Sequence, residues 1–427
     1  MVGSRRRPCD DLCDLAVARL SADLLANIHR RLPFLHRLAF ASLIGASGHM
    51  LTPEAPWLVL PGRAEGNVAL ISVTDGGKAG VAPAPYPAMR GHVVLGSSDG
   101  WLVTADAKGA LRMANTATGA QADLPAISTI PMFLRSDCWF TLDGEAFVQL
   151  RFGGTPPPDD KTWGPPVPRT FTMTAEQMRQ WFYRKVVLSS SPRPDSYAAM
   201  LILDRTYGVP AFATVDDPNW RMAPSQDGVE DAIHHDGRFY SISYTGIVEV
   251  WDRDVETGDF KSMVVAPDSA VVEVDNCKLL RRYLATTPDG RLMVVLKGTK
   301  EVEQPPVTRH FFQVLVLDEA HGTWEKEENI DGTALFVGVN SSLCVSTREH
   351  PAIKPGCVYF TDDEIGVAAM RHDHEHGGRD KYRSVYDDDK LPYLGVYSLN
   401  DGKIEDLCGI GKHPCWPPAA WVTPSFL

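Results

Sequence analysis

The 427-residue sequence has no run of 18 apolar residues, so no part of it is expected to cross a membrane as a helix. It has no C-x-x-C pair. Its eight cysteines scatter from Cys9 to Cys415, which speaks for reduced thiols and against a disulfide framework. No G-x-S-x-G, P-loop or strand-to-helix G-x-G-x-x-G occurs, so nucleophilic hydrolysis and nucleotide binding have no anchor, and no cofactor is expected. Arg5-Arg6-Arg7 is not followed by an apolar stretch, so the N-terminus does not read as a secretory leader. The chain is therefore expected in the cytoplasm, the nucleus or both. A basic surplus is also missing. Residues 1–40 hold seven Arg against four Asp, a formal +3, so the rest carries about −15 of the net −12. A body that acidic repels a phosphate backbone, and nucleic acid is not an expected partner.

What is present is mostly β signal. Beyond residue 60, short runs rich in Val, Ile, Leu, Phe and Tyr recur between Gly, Asp, Asn and Pro, as in 92–96, 101–104, 184–188, 238–243, 246–251, 291–296 and 310–317. Eight Asp-Gly pairs punctuate them, starting at Asp75, Asp99, Asp143, Asp227, Asp236, Asp289, Asp331 and Asp401. Asp-Gly supplies the positive φ angles of tight hairpin turns. Similar runs at Gly237 and Gly290 lie 53 residues apart, and those at Ser342 and Leu394 continue the step at 52. A second element, D/N-x-x-x-G, returns at Asn115–Gly119, Asp254–Gly258 and Asp318–Gly322 and suits the outer strands of a blade. A period near fifty with four short strands predicts a mainly β fold, a β-propeller of six or seven blades over 61–427. A β-sandwich competes, but one sandwich rarely needs so many hairpins.

Residues 155–168 hold six prolines and read as a loop inserted between blades. Thr174-Ala-Glu-Gln177 is a capping-box pattern opening a short helix through Met178 and Trp181.

The front end differs. Leu20 to Phe34 reads L-x-x-D-L-L-x-x-I-x-x-R-L-P-F, with Leu24, Leu25, Ile28 and Leu32 at helical spacing. Asp23 sits near the positive end of that helix, and Pro33 stops it. The pattern resembles the opening of an F-box, the helical module that docks on the Skp-type adaptor of cullin ubiquitin ligases. An ordinary amphipathic helix packed on the next domain is the alternative. The module is expected over 15–57.

The resemblance extends to nearly the whole chain. G-S-S-D-G-W-L from Gly96, the runs 237–242, 250–252, 282–285 and 357–362, and the terminal W-P-P-A-A-W-V-T-P-S from Trp416 are similar to a large plant family. That family joins an N-terminal F-box to a KIB-type β-propeller. The resemblance implies the substrate-recognition subunit of an SCF-type ubiquitin ligase, not an enzyme, with an unknown protein target. Leu24, Leu25, Ile28, Leu32, Pro33, Phe34 and Leu38 would supply adaptor contacts and the module's small core. This sequence departs from the pattern in carrying Ser21 for the usual Pro, His36 for an acidic residue, and Leu43–Gly48 in place of the third helix's V-C-x-x-W-like segment, where two glycines weaken helix. Trp57 is the one Trp near enough to substitute. The second reading is therefore a free-standing propeller that binds and restrains a partner such as a protein kinase, as a few relatives do.

Other candidates have plain readings. His372, His374 and His376 alternate, as on one face of a strand, but lie where a long charged loop is expected, so no metal site is assigned. Asp159-Asp160 and Asp387–Asp389 read as solvated loop charge. His234-His235 precede an Asp-Gly turn and read as turn or blade-edge residues. The ten Trp read as blade packing, with a few on the rim as interface anchors.

Overall fold

The computed structural model describes residues 20–32, 36–37, 40, 44, 54–61, 67–74, 79–83, 92–116, 118–130, 138–143, 147–152, 169–174, 179–205, 209–225, 227–266, 277–302, 307–328, 330–375, 394–407 and 416–424. Strands dominate. Blade 1 holds β1 (Trp57–Pro61), β2 (Asn67–Ser72) and β3 (Ala79–Pro83), and its fourth strand comes from the far end of the chain, β28 (Ala420–Val422). Blade 2 is β4 (Val93–Ser98), β5 (Trp101–Ala105), β6 (Leu111–Asn115) and β7 (Gln121–Asp123). A separate three-stranded sheet follows, β8 (Cys138–Asp143), β9 (Phe147–Phe152) and β10 (Arg169–Thr174). Blade 3 is β11 (Tyr183–Leu188), β12 (Ala198–Leu203), β13 (Ala211–Thr214) and β14 (Arg221–Met222). Blade 4 is β15 (Asp231–His235), β16 (Arg238–Ile242), β17 (Val248–Arg253) and β18 (Phe260–Ala266). Blade 5 has three long strands, β19 (Cys277–Thr286), β20 (Leu292–Val302) and β21 (Val307–Asp318), then β22 (Thr323–Glu327). Blade 6 is five-stranded, β23 (Thr333–Val337), β24 (Leu343–Ser346), β25 (Cys357–Phe360), β26 (Gly395–Ser398) and β27 (Ile404–Glu405).

Six apolar cores join these blades in a closed ring. Val93, Leu95 and Val103 meet Val186 and Leu201 between blades 2 and 3. Val187, Met200 and Phe212 meet Phe239 and Trp251 between blades 3 and 4. Ile233 and Val248 meet Leu284 and Leu315 between 4 and 5, and Tyr283 and Val314 meet Leu335 and Val358 between 5 and 6. Phe336 and Tyr359 meet Leu58 and Trp421 between 6 and 1, and Trp57 and Val422 meet Val94 and Leu102 between 1 and 2. Blades 2 and 3 pack directly. The β8–β10 sheet, which intervenes in sequence, therefore does not intervene in the ring, and the propeller has six blades.

Closure follows from pairing. Trp57, Leu58 and Val59 of β1 face Val422, Trp421 and Ala420 of β28 in antiparallel register. β1, otherwise an edge strand, is thereby paired on both sides, with β2 and with β28. The turn chemistry is as the sequence reads. Asp99-Gly100 joins β4 to β5 and Asp236-Gly237 joins β15 to β16, and all four residues have positive φ, 44° and 83°, 48° and 77°. In each D/N-x-x-x-G element the Gly N–H donates to the carbonyl four residues back, at 3.0 Å for Asn115 and 2.8 Å for Asp254 and Asp318. The Asn or Asp side chain accepts from the N–H groups between. Each joins the third strand of its blade to the fourth.

Three expectations need correction. Trp57 lies in β1, fully buried in the blade 1–2 core, so it does not complete the helical module. The repeat step holds from blade 4 to blade 5, where Gly237 and Gly290 precede the second strands. It fails beyond, because Ser342 and Leu394 both fall in blade 6. The His372 region is neither strand nor loop but helix, since Ile365, Ala368 and Ala369 bury one helical face. The Pro-rich insertion at 155–168 lies outside the described residues, between β9 and β10. Residues 179–181 are helical, and 175–178 lie outside the described residues.

Candidate interaction site

Two places gather chemistry: the N-terminal helix and the propeller axis. Helix α1 (Ala22–Arg31) starts at Ser21, whose side chain accepts from the Leu24 N–H, with Asp23 in the first turn and His29, Arg30 and Arg31 in the last. Ser21, the departure from the expected Pro, therefore serves as the cap. Leu25 is fully buried and belongs to the interior, whereas Leu24 is 46% exposed and Ile28 and Leu32 are half-buried. Pro33, Phe34 and Leu38 lie outside the described residues. The helix is tied to its own chain. His29 Nε2 lies 3.2 Å and Arg37 Nε 3.3 Å from the Glu54 carboxylate, just ahead of β1. Burial, with Arg37 beside it, holds His29 below the usual imidazole range.

At the axis, charged residues on the inner strands of three blades meet. Lys185 of β11 pairs with Asp231 of β15, both side chains fully buried, and the other Asp231 oxygen accepts from the Leu284 N–H of β19 at 2.8 Å. One carboxylate thus ties blades 3, 4 and 5. Burial pushes the Asp231 carboxyl up, against the pull of Lys185. Glu230 accepts from Arg282 N–H at 3.2 Å and from its guanidinium at 3.1 Å. Burial raises its carboxyl to about 7 against Arg184 and Arg282. Arg184 donates to the Glu230 carbonyl at 3.2 Å and stacks over Tyr244, with Arg205 4.9 Å from the same ring.

Helix α2 (Ile365–Glu375) closes this cluster from blade 6. The segment before it, Asp362-Asp363-Glu364, supplies three carboxylates at its positive end. Asp362 accepts from Arg371 at 2.7 Å and from the Glu364 N–H at 3.2 Å. Asp363 lies 2.6 Å from Arg281 Nε and 3.8 Å from Lys297 Nζ. Glu364 accepts from Arg184 and Arg281, each at 3.3 Å. Its side chain keeps 48% of its surface open. Trp181, 37% exposed, lies against Gly366, and Leu280, 38% exposed, is next to Arg281.

The cluster was not legible in sequence. Its members run from Arg184 to Arg371 with no fixed spacing, and only the fold converges them. A weak signal was there: Lys185 precedes Val186-Val187-Leu188, and Asp231 precedes Ala232-Ile233, charges set at the edge of apolar runs. Among the described residues no group of three His, Cys, Asp or Glu is placed to hold a metal ion. His372 and His374 lie on α2, and His376 lies outside the described residues.

Comparison with known proteins gives a consistent result. A family profile described as KIB1-4 beta-propeller matches residues 70–397. An F-box protein of Arabidopsis thaliana is 25% identical over 249 residues, 54% of this chain and 54% of its own length. A second Arabidopsis thaliana protein, named for an F-box and kelch repeats, is 22% identical over 160 residues, 36% of this chain and 40% of its own. The chain thus spans about half the length of the curated relatives it matches, or less. Among solved structures, the β-propeller domain of Cps50 (Swd1) from Myceliophteria thermophila is similar at 12% identity with a TM-score of 0.29, covering 62% of this chain and 84% of that one.

Proposed function

The chain belongs to the KIB1-4 β-propeller family, and from that premise we propose that it is the target-recognition subunit of an SCF-type ubiquitin ligase. The propeller binds the target protein, the helical module docks on a Skp-type adaptor, and the chain works by binding, without chemistry of its own, in the cytoplasm or nucleus. The observation that carries this reading is the exposed Leu24 on a capped amphipathic helix ahead of a closed ring, alongside a relative named as an F-box protein. Propellers offer a rigid, wide surface for partners, because their cores are spent between blades.

One observation favours the second reading, a free-standing propeller that binds and restrains a partner. His29 and Arg37 are engaged with Glu54, three residues ahead of β1, so that side of the helix faces the chain entering blade 1 and is not open to a partner.

The test is co-purification of the full chain with a Skp-type adaptor at micromolar concentration. Wild type is expected to retain the adaptor. Leu24→Asp, and separately Leu32→Ala with Pro33→Ala, are expected to lose it while the melting temperature of the propeller stays put. Burying a carboxylate in an apolar contact without a partner costs about 2 kcal/mol or more, and each 1.4 kcal/mol is about tenfold in affinity. Wild-type protein that retains no adaptor replaces the ligase reading with the free-standing one.

A further inference from the structure

We propose that β18, the outer strand of blade 4, is a strand-addition site that takes an extended, uncharged, apolar segment of a partner protein. Strand addition here rests on the propeller being the partner-binding part of the chain and is separate from adaptor docking.

The outer strands of the blades are not alike. Each is a sheet edge, and sheet edges are ordinarily kept short, charged or interrupted by proline. Strand β7 has three residues, and β14 and β27 have two each. Strand β22, Thr-Trp-Glu-Lys-Glu, is charged at three positions, and β3 contains Gly80 and Pro83. Strand β18 instead runs for seven residues, and its one charge, Lys261, is paired with Asp254 at 2.8 Å. Met263 and Val264 are 59% and 57% exposed, and Val265 and the turn residue Val255 are exposed as well. These are four of the eight large apolar side chains exposed among the described residues.

The edge also offers backbone groups. The Asp254 N–H donates to the Asp259 carbonyl at 2.8 Å, so the β17–β18 ladder starts with a bonded position there. Antiparallel pairing alternates between bonded and non-bonded positions. Asp252–Lys261 and Val250–Met263 are then the bonded pairs, and Phe260, Ser262 and Val264 turn their N–H and C=O groups away from β17. A bulge at Val265 ends the regular run, because Glu249 faces Val264 while Val248 faces Ala266. The stretch open to pairing is therefore Phe260–Val264.

Charge and side chains define the occupant. Met263 and Val264 project to opposite faces of the sheet, so a strand laid alongside meets apolar surface on both faces. Ser262 to Ala266 holds no charged residue, and the Glu249 carboxylate behind it accepts from Ser262 at 2.8 Å. An acid or base in the occupant gains no partner there, whereas Val, Ile, Leu, Phe and Thr fit. The edge is also held in place beforehand. Arg221 of blade 3 donates to the Thr257 carbonyl at 3.2 Å and to Asp259 at 3.3 Å, and Asp217 accepts from Arg221 at 2.8 Å and from Arg253 at 3.3 Å. Only the occupant has to be ordered on binding. One strand's length of contact lies well below the roughly 1,200 Å² of a stable interface, which suits a transiently held peptide segment and not a dimer of whole chains.

Hydrogen exchange and peptide binding on the full-length protein test this. In the free protein the Ser262 and Val264 amides are expected to exchange fast and those of Lys261 and Met263 slowly. The probe is a set of fluorescein-labelled peptides of about seven residues, with Lys at both ends and Val, Ile, Leu, Phe or Thr between. Members of the set are expected to raise fluorescence anisotropy on binding and to slow the Ser262 and Val264 amides, and proline at their central positions is expected to abolish both effects. Val264→Lys, a change at an exposed site, should leave the melting temperature unchanged and weaken binding by about tenfold or more. Slow Ser262 and Val264 amides in the free protein overturn the proposal, as does a peptide set that does not bind or that binds Val264→Lys equally well. Concentration-dependent dimerisation of wild type that Val264→Lys abolishes overturns it too, by making the occupant a second copy. Co-purification with the Skp-type adaptor is unaffected by Val264→Lys, so failure here is distinct from failure of the ligase reading.

Discussion

At the scale of single residues, two positions show how the ring is specified. Gly96 interrupts β4 at a bulge, and a Cβ built there would run into the Val186 carbonyl of the next blade. Glycine is needed for close approach of two backbones, not for its φ. Gly96→Ala is expected to destabilise the protein by about 1–3 kcal/mol, the usual cost of overpacking, or more because the obstacle is backbone. Urea denaturation followed by Trp fluorescence measures it, and an unchanged midpoint would mean the blades can part without loss. The second position is the fully buried Lys185–Asp231 pair. Removing one partner strands a charge, so Lys185→Met is expected to cost about 3–5 kcal/mol. Lys185→Met with Asp231→Leu should recover much of that loss, although the Leu284 N–H then loses its acceptor. A double variant no better than the single one would show that Asp231 matters for the backbone bond rather than for the lysine.

Among the elements, the turns are local and the seam is not. Asp99-Gly100, Asp236-Gly237 and the three D/N-x-x-x-G turns form from residues within five positions of one another, so each can be read without knowing the fold. The blade 1 seam instead joins residues more than 350 positions apart. Trp421 sits at its centre, fully buried against the stacked rings of Phe336 and Tyr359, with Phe336 at a ring distance of 5.0 Å and edge-on. Cutting the chain after residue 415 removes β28 and Trp421 together. That truncation is expected to lower the melting temperature sharply and to raise hydrogen exchange first in β1, whose partner is lost. Loss confined to the last few residues, with β1 still protected, would mean that the ring closes without this strand.

For the whole molecule, much was open to sequence reading. The antiparallel hairpins and the propeller are both in the structure. So is the helical stripe of α1, because i, i+3, i+4 spacing needs no tertiary context. These features rest on short-range chemistry: alternation of side chains along a strand, positive φ at Asp-Gly, and capping at Ser21. Tertiary structure alone decided the rest. That β8–β10 stands outside the ring depends on how closely β4 meets β11. The fifth strand of blade 6 and the parallel pairing of β23 with β25 depend on where the intervening chain is carried. The segment near His372 read as a charged loop with histidines spaced as on a strand, yet the burial of Ile365, Ala368 and Ala369 along one face made it a helix. The axial charge cluster is the clearest case. Lys185, Asp231, Arg281 and Asp363 each look like ordinary surface charges in sequence, and only closure of the ring removes them from water and makes each the obligatory partner of another, because a buried charge must be compensated.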